Sequence, residues 1–379
     1  MGKKKQIDIA FLFGAGAEVG YGLSGGVDFA KTVIGDNTKL MDTAIEQHYK
    51  RDLNKWYPKY QHYNFQLEKL FESALKKKLM TENNQIEYKS SFDNLIKEMV
   101  DTEKNQKHEI INAYTSYMGI LDEKFHTIIS PKYLGPNKFW GVVECYTRAY
   151  LLLTGEMFKK TVRREPTEKD YLDMLENPLK YYKKWGCIAS GDEGYYEIIQ
   201  KNIYNKENIA IVTTNYTPLC ENITEVENIA HVNGRLNLFE SPYKLCVYDV
   251  LEDKMPKSDD IVFPYIFIQS GVKPIVEERQ ITEYSKMIKY FKNAQTIVVV
   301  GYRINADDNH INSFLRSAIC NGKKVIYFNH NKELTDENIY SRLRIHNSEY
   351  HIDIINVRDN NCVSEFKNIM RELKVTEAK

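Results

Sequence analysis

The sequence has no C-x-x-C pair, no apolar run approaching membrane length and no surplus charge of either sign. Each absence closes off a class of function. Its six cysteines (Cys145, Cys187, Cys220, Cys246, Cys320 and Cys362) are scattered singly. A structural zinc site built from two C-x-x-C pairs is therefore absent, no metal is expected, and the cysteines read as reduced, mostly buried thiols. Crossing a bilayer takes about 20 apolar residues, and neither such a run nor a signal peptide is visible; the chain is expected to be cytoplasmic, with no membrane partner. Lys+Arg and Asp+Glu are both 52, so the net charge gives no reason to expect nucleic acid as the main ligand. Lys3, Lys4 and Lys5 read as a solvated tail.

What remains is an ordinary globular composition, 42% hydrophobic and 27% charged over 379 residues, long enough for one large domain or two. Ile7–Phe13 is a short apolar run stopped by glycine, as in a buried parallel strand. After it come six glycines between Gly14 and Gly26, then a helix start near Asp28. Strand, glycine turn and helix is the order that aims backbone N–H groups at an anion. From about residue 37 to 207 the apolar spacing turns helical. Stripes run through Leu67–Leu75, Phe92–Val100 and Ile110–Phe125, a further helix is expected over Gly141–Thr154, and 130–138 reads as a loop. Strand candidates return at 208–214, 228–232, 260–263, 296–300, 324–328 and 352–355, with helices at 283–292 and 310–320. Strands alternating with helices predict an α/β fold, a Rossmann-like, doubly wound, mostly parallel sheet. The expected division is a discontinuous nucleotide-binding domain, 1–36 and 208–379, interrupted by a large helical insert, 37–207.

Four stretches carry the candidate chemistry. In "GAGAEVGYGLSGG" (14–26) no Lys-Ser/Thr follows where a P-loop needs it, and the spacing is one residue longer than G-x-G-x-x-G. "TTNYT" (213–217) ends a strand, which puts small hydroxyls and an amide at the carboxyl edge of the sheet. Asn215 there either contacts a ribose hydroxyl or water, or caps a turn before Pro218. "HVNGR" (231–235) again runs from a strand into a glycine. "VVVGYRINADDNHINSFLR" (298–316) ends a strand at Gly301, and Asp308 reads as a helix N-cap rather than a metal ligand.

Taken in order, these stretches resemble the sirtuin-like domain, in its bacterial antiviral-defence NAD-hydrolase branch rather than the deacetylase branch, whose four-cysteine zinc module is missing. The resemblance spans the first 30 or so residues and most of 208–330. It implies NAD lying across the carboxyl edge of the sheet. Gly14, Ala15, Gly16 and Ala17 would approach the phosphates, Asn215 would take the catalytic Asn's place, and Thr214, Gly234, Gly301, Tyr302, Asp308 and Asn329 would line the rest. The implied reaction is cleavage of NAD to nicotinamide and ADP-ribose by a defence effector. Family members form homo-oligomers or pair with an ATPase or other sensor subunit.

Two positions depart from the pattern. Asn233 stands where the family has its catalytic His, and Glu18 where it has Ser. An amide accepts no proton near neutrality, so Asn233 is no general base. His231, two residues back and on the same face if the strand continues, is one substitute; His310 is a weaker one. Glu18 either turns away and caps a helix N-terminus, or faces the pocket, where burial would raise its pKa and make it the missing base. The alternative to a hydrolase is a catalytically silent NAD- or nucleotide-binding sensor or scaffold. A glycosyl-bond reaction on another nucleotide ranks third, and deacetylation last.

Overall fold

In Ile7–Phe13 (β1) every residue except Asp8 is buried, the signature of a strand covered on both faces. The computed structural model describes residues 7–34, 38–49, 138–188, 193–203, 205–241, 246–252, 262–266, 278–304, 308–331, 334–346, 349–357 and 362–373. The helix stripes expected at 67–75, 92–100 and 110–125, the loop before 138, and Lys3–Lys5 lie outside these residues. β1 is flanked by β2 (Ile209–Thr213) and β7 (Ala294–Val300), and the sheet continues through β3 (Ile229–His231) on one side and β8 (Lys324–Asn329) and β9 (Asp353–Asn356) on the other. All pairs are parallel, in the order β3-β2-β1-β7-β8-β9. Renumbered by appearance within the sheet, that is 3-2-1-4-5-6, the doubly wound dinucleotide-fold order. The winding direction reverses between β1 and β7, so the switch point lies beyond the carboxyl ends of those two strands. The fold class read from the sequence is the one observed.

The helices are α1 (Gly26–Ile34), α2 (39–49), α3 (Lys138–Val162), α4 (Glu168–Glu176), α5 (Pro178–Lys184), α6 (Tyr195–Asn202), α7 (Leu219–Thr224), α8 (Glu278–Asn293), α9 (Asn309–Cys320), α10 (Asp336–Leu343) and α11 (Cys362–Glu372). Alternate residues of the strands face opposite layers. Phe11, Phe13, Ile211, Val300 and Phe328 pack with Tyr150 of α3, Tyr196 of α6 and Phe366 of α11. Leu12, Val212 and Val299 pack with Phe291 of α8, Leu315 of α9 and Ile339 of α10. The helix expected over Gly141–Thr154 is α3, longer at both ends, and it shares one core with the sheet. Among the described residues no helix is long and apolar enough to cross a membrane. Of the described thiols, Cys145 and Cys220 are buried, Cys246 and Cys362 half-buried and Cys320 exposed, so the expectation of mostly buried cysteines does not hold.

One strand expectation is corrected. Of the run at 260–263 only Val262 and Phe263 are described, and Phe263 opens β6 (Phe263–Ile266), which pairs antiparallel with β4 (Gly234–Ser241) rather than with the parallel sheet; β4 also pairs with β5 (Cys246–Asp249). Gly234 opens β4 rather than ending a strand. Its φ is +87°, and a Cβ there would lie 2.2 Å from the Tyr265 carbonyl oxygen, so its glycine serves the close approach of β6.

The glycine loop after β1 is likewise built against protein. Gly14 N–H donates to Val300 O and Gly16 N–H to Gly301 O, both at 3.0 Å. A Cβ on Gly14 would meet Gly301 O at 2.5 Å, and one on Gly301 (φ +65°) would meet Ala17 N at 2.1 Å. The loops leaving β1 and β7 touch backbone to backbone, which side chains at these positions would prevent. Gly301→Ala should therefore cost about 2 kcal/mol or more in urea unfolding. Gly20→Ala, whose Cβ would enter open space, should change stability by less than about 0.5 kcal/mol. Equal effects would contradict this account of the loop.

Candidate functional site

With Gly16 and Ala17 clamped on Gly301, the chain turns through two short 3-10 turns (Ala15–Ala17 and Val19–Tyr21) and sends Glu18 inward. Glu18 is 3% exposed. The Thr217 hydroxyl contacts both carboxyl oxygens at 2.8 Å, and Tyr196 OH donates to Oε1 at 3.0 Å. Asn215 Nδ2 lies 3.4 Å from that Tyr196 oxygen and donates to Gly14 O at 3.2 Å. Tyr196 itself is held edge-on by Phe13 and stacked on Tyr21, at centroid distances of 5.1 and 5.2 Å. Burial pushes the Glu18 carboxyl up to about 7, against the opposing hydrogen bonds from Thr217, Tyr196 and Asn215, and the negative charge of Glu221 adds to the rise. Burial, reinforced by Glu18, also pushes the Tyr196 phenol well above its ordinary range, so it remains a donor.

A second cluster lies at the end of β3. His231 is 2% exposed; its Nε2 is 2.7 Å from Glu221 Oε2 and its Nδ1 3.4 Å from the Asn215 carbonyl. The other Glu221 oxygen accepts from Arg235 and from Tyr182 OH. Burial works to raise the Glu221 carboxyl, but the hydrogen bond and charge of His231, with Arg235, hold it at about 2. Donor atoms of Cys220, Glu221 and His231 all lie within 4.8 Å of one another. Burial pushes the Cys220 thiol well above its ordinary range and Glu221 is already engaged by Arg235, so the trio is arranged as an ion pair beside a neutral thiol. Next to it a cavity of about 370 Å³ separates Gly234 and Arg235 from Glu278–Glu283 at the start of α8.

The structure thus brings Gly14, Glu18 and Asn215 into one constellation, with His231 on the far side of the Asn215 backbone. Several expectations change. Glu18 makes no side-chain capping bond and is buried beside Asn215 instead. His231 and Asn233 do not share a strand face, because β3 ends at His231 and Asn233 sits in the following turn. Both His231 ring nitrogens are turned towards oxygens of Glu221 and Asn215, so neither is directed at a substrate water. Asn233 is 6% exposed, and its Oδ1 is buried without a hydrogen-bond partner. In the glycine loop the N–H groups of Gly14, Gly16 and Ala17 are used within the protein; Ala15 is half-buried and Gly16 exposed. Thr214 turns its N–H and hydroxyl to Phe13 O.

On the β7–β8 side Tyr302 and Asn329 are engaged within the protein. Tyr302 is buried, with its hydroxyl donating to Asn312 Oδ1 at 2.7 Å. Asn329 is occupied by Leu334 O, Asn356 Oδ1 and Asn331 N–H. Asp308 takes the N-cap position of α9 but makes no side-chain capping bond, and the His310 ring packs edge-on against Tyr284. Thr217 and Glu221 lie within or just after the "TTNYT" motif, where a hydroxyl and an acid following Asn215 could have been flagged. Tyr196 and Tyr21 carry no such signal among 27 tyrosines.

No family model and no curated protein matches the sequence. Among solved structures, the chain is similar to a Sir2 homolog–NAD complex at 13% identity, covering 53% of this chain and 74% of that one, with a TM-score of 0.34. It is also similar to a mutant Sir2 homologue bound to ADP ribose at 14% identity (54% and 79%, TM-score 0.33). A third likeness is to a Sir2 enzyme structure at 16% identity (53% and 77%, TM-score 0.32). Scores this low add nothing to what the strand order already establishes.

The Glu18 carboxyl generates a pH signature. Its folded pKa is about 7 against an ordinary 4.5, so the folded protein binds this proton more tightly than the unfolded chain. That stabilisation is complete below pH 4.5 and is lost as pH rises through 7, to the extent of about 3 kcal/mol. Urea unfolding of wild type and Glu18→Gln across pH 4.5–8 should show the wild type losing stability relative to the variant as pH rises. A constant difference would contradict the burial-raised carboxyl.

Proposed function

We propose that the protein binds NAD at the carboxyl edge of its parallel sheet, over the β1–β7 switch point, and hydrolyses it to nicotinamide and ADP-ribose. The observation that carries this reading is the Glu18 carboxyl, raised to about 7 and held in one hydrogen-bonded cluster with Asn215. Two further features fit a dinucleotide. Ala15 and Gly16 offer a surface with nothing larger than a methyl group, and Asn233 Oδ1 is a buried acceptor in need of a donor such as a ligand hydroxyl or amide. Bound NAD supplies a glycosidic bond whose nicotinamide leaves once the ribose carbon is positioned and desolvated. The chain's part is to orient water or a ribose hydroxyl with Asn215 and to accept the water's proton on Glu18, whose two forms are comparably populated near neutrality. Thr217 and Tyr196 hold that carboxyl in place. In this reading residues 37–207 are the insert on which regulation and assembly act. The four-motif resemblance extends the proposal to a cytoplasmic effector of bacterial antiphage defence.

A second reading, a nucleotide-binding sensor or scaffold without turnover, is favoured by Asn233 and by the full engagement of His231. Chromatography of NAD incubations separates the two. The hydrolase reading expects nicotinamide release that falls by about 100-fold or more in both Asn215→Ala and Glu18→Gln, and that rises with pH through 7 in the wild type. NAD binding by calorimetry with no product at any pH would leave the sensor reading. Neither binding nor turnover would remove both.

A further inference from the structure

The end of the sheet away from Glu18 carries a second reactive constellation. β8 ends at Asn329 and is followed by His330; β9 ends at Asn356 and leads to Cys362, the first residue of the 11-residue helix α11. Asn329 ties these two connections together. Its amide donates to Asn356 Oδ1 at 2.8 Å and to Leu334 O at 2.7 Å, its Oδ1 accepts from Asn331 N–H at 3.1 Å, and its backbone carbonyl accepts from Val357 N–H at 3.0 Å. The fastening holds His330 Nδ1 3.2 Å from Cys362 Sγ. The Tyr195 hydroxyl hydrogen-bonds the same sulfur. Cys362 is half-buried and His330 exposed, so solvent reaches the pair.

We propose that Cys362 is a nucleophilic thiol activated by His330, a modification site that takes up low-molecular-weight disulfides. A thiol within hydrogen-bond reach of an imidazole is the arrangement of an activated nucleophile. Here the sulfur also lies at the start of α11, where negative charge is favoured, and can accept a bond from Tyr195, and both favour thiolate over thiol. Desolvation lowers the His330 imidazole, which keeps it neutral and able to take the S–H proton. In the exchange step His330 Nδ1 takes the S–H proton while the Cys362 sulfur attacks one sulfur of the reagent. The reagent's S–S bond breaks, and its departing thiolate takes the proton back from His330. Cys362 is thereby oxidised to a mixed disulfide and half of the reagent is reduced to a thiol. This site shares no side chain with the Glu18 cluster and does not depend on the reading of that cluster.

Cys320 provides an internal reference because it is more exposed than Cys362, so accessibility alone would make it the faster of the two. The full chain is treated with limiting iodoacetamide at pH 7, and separately with oxidised glutathione, and the labelled peptides are resolved by mass spectrometry. Cys362 should react about tenfold faster than Cys320 or more and should carry the glutathione adduct. His330→Gln should bring Cys362 down towards the Cys320 rate while leaving Cys320 unchanged. If that variant unfolds, seen as rapid labelling of buried Cys145 and Cys220, the wild-type ratio decides alone. Cys362 reacting no faster than Cys320 in the wild type, or at an unchanged rate in a folded His330→Gln variant, would overturn the proposal.

Discussion

A carboxylate removed from water must be surrounded by donors or must take up a proton, and that constraint organises the carboxyl edge of this sheet. Glu18 does some of each. Thr217 comes from the segment after β2 and Tyr196 from α6, so a single buried side chain ties the glycine loop to two segments 199 and 178 residues further along the chain. The aromatic stack of Phe13, Tyr196 and Tyr21 gives Tyr196 its position, and the backbone contact of Gly16 with Gly301 gives Glu18 its direction. Among the described residues, the groups that act most on Glu18 are Thr217, Tyr196, Asn215 and Glu221, none of them a cation. The carboxyl therefore stays poised between its two protonation states.

The contrast with Glu221 shows that the poise is a matter of surroundings. Both acids sit near the carboxyl edge, Glu18 between two 3-10 turns and Glu221 in the first turn of α7, and burial pushes both upward. Glu221 has His231 and Arg235 as ionic partners and stays charged to about 2; Glu18 has only neutral donors and rises to about 7. Two carboxyl groups driven apart in this way divide the labour of a site, one fixing charge and geometry and the other able to exchange a proton. His231 belongs to the first group. It is locked between Glu221 and the Asn215 carbonyl, and so braces the segment that presents Asn215.

Most of the fold was legible because a doubly wound sheet writes itself as short apolar runs separated by helices. β1, β2, β3, β7, β8 and β9 all fall on such runs, and the strand order completes the prediction. The small antiparallel sheet was not legible. β4 alternates poorly, burying Asn237 and Glu240 beside Leu236 and Phe239, and its glycine looked like a stop. At the site, the sequence pointed to Glu18, Asn215 and Asn233 through their departures from, or fit to, a motif. It did not show that Gly14, Gly16 and Gly301 are needed against one another's backbone, since a glycine needed there looks the same as one needed against a ligand. Nor did it show that Tyr302 and Asn329, at strand ends in the sequence, hydrogen-bond neighbouring elements. Tyr196 was out of reach altogether, because nothing local marks one tyrosine of a helix as the partner of a distant acid.

The most direct test of the account is to observe the Glu18 carboxyl itself. In protein labelled with ¹³C at glutamate side-chain carboxyls, NMR titration should show one resonance, absent from Glu18→Gln, with a midpoint near pH 7. If the resonance removed by that substitution instead titrates near the ordinary 4.5, Glu18 is not the buried, proton-exchanging centre of the site.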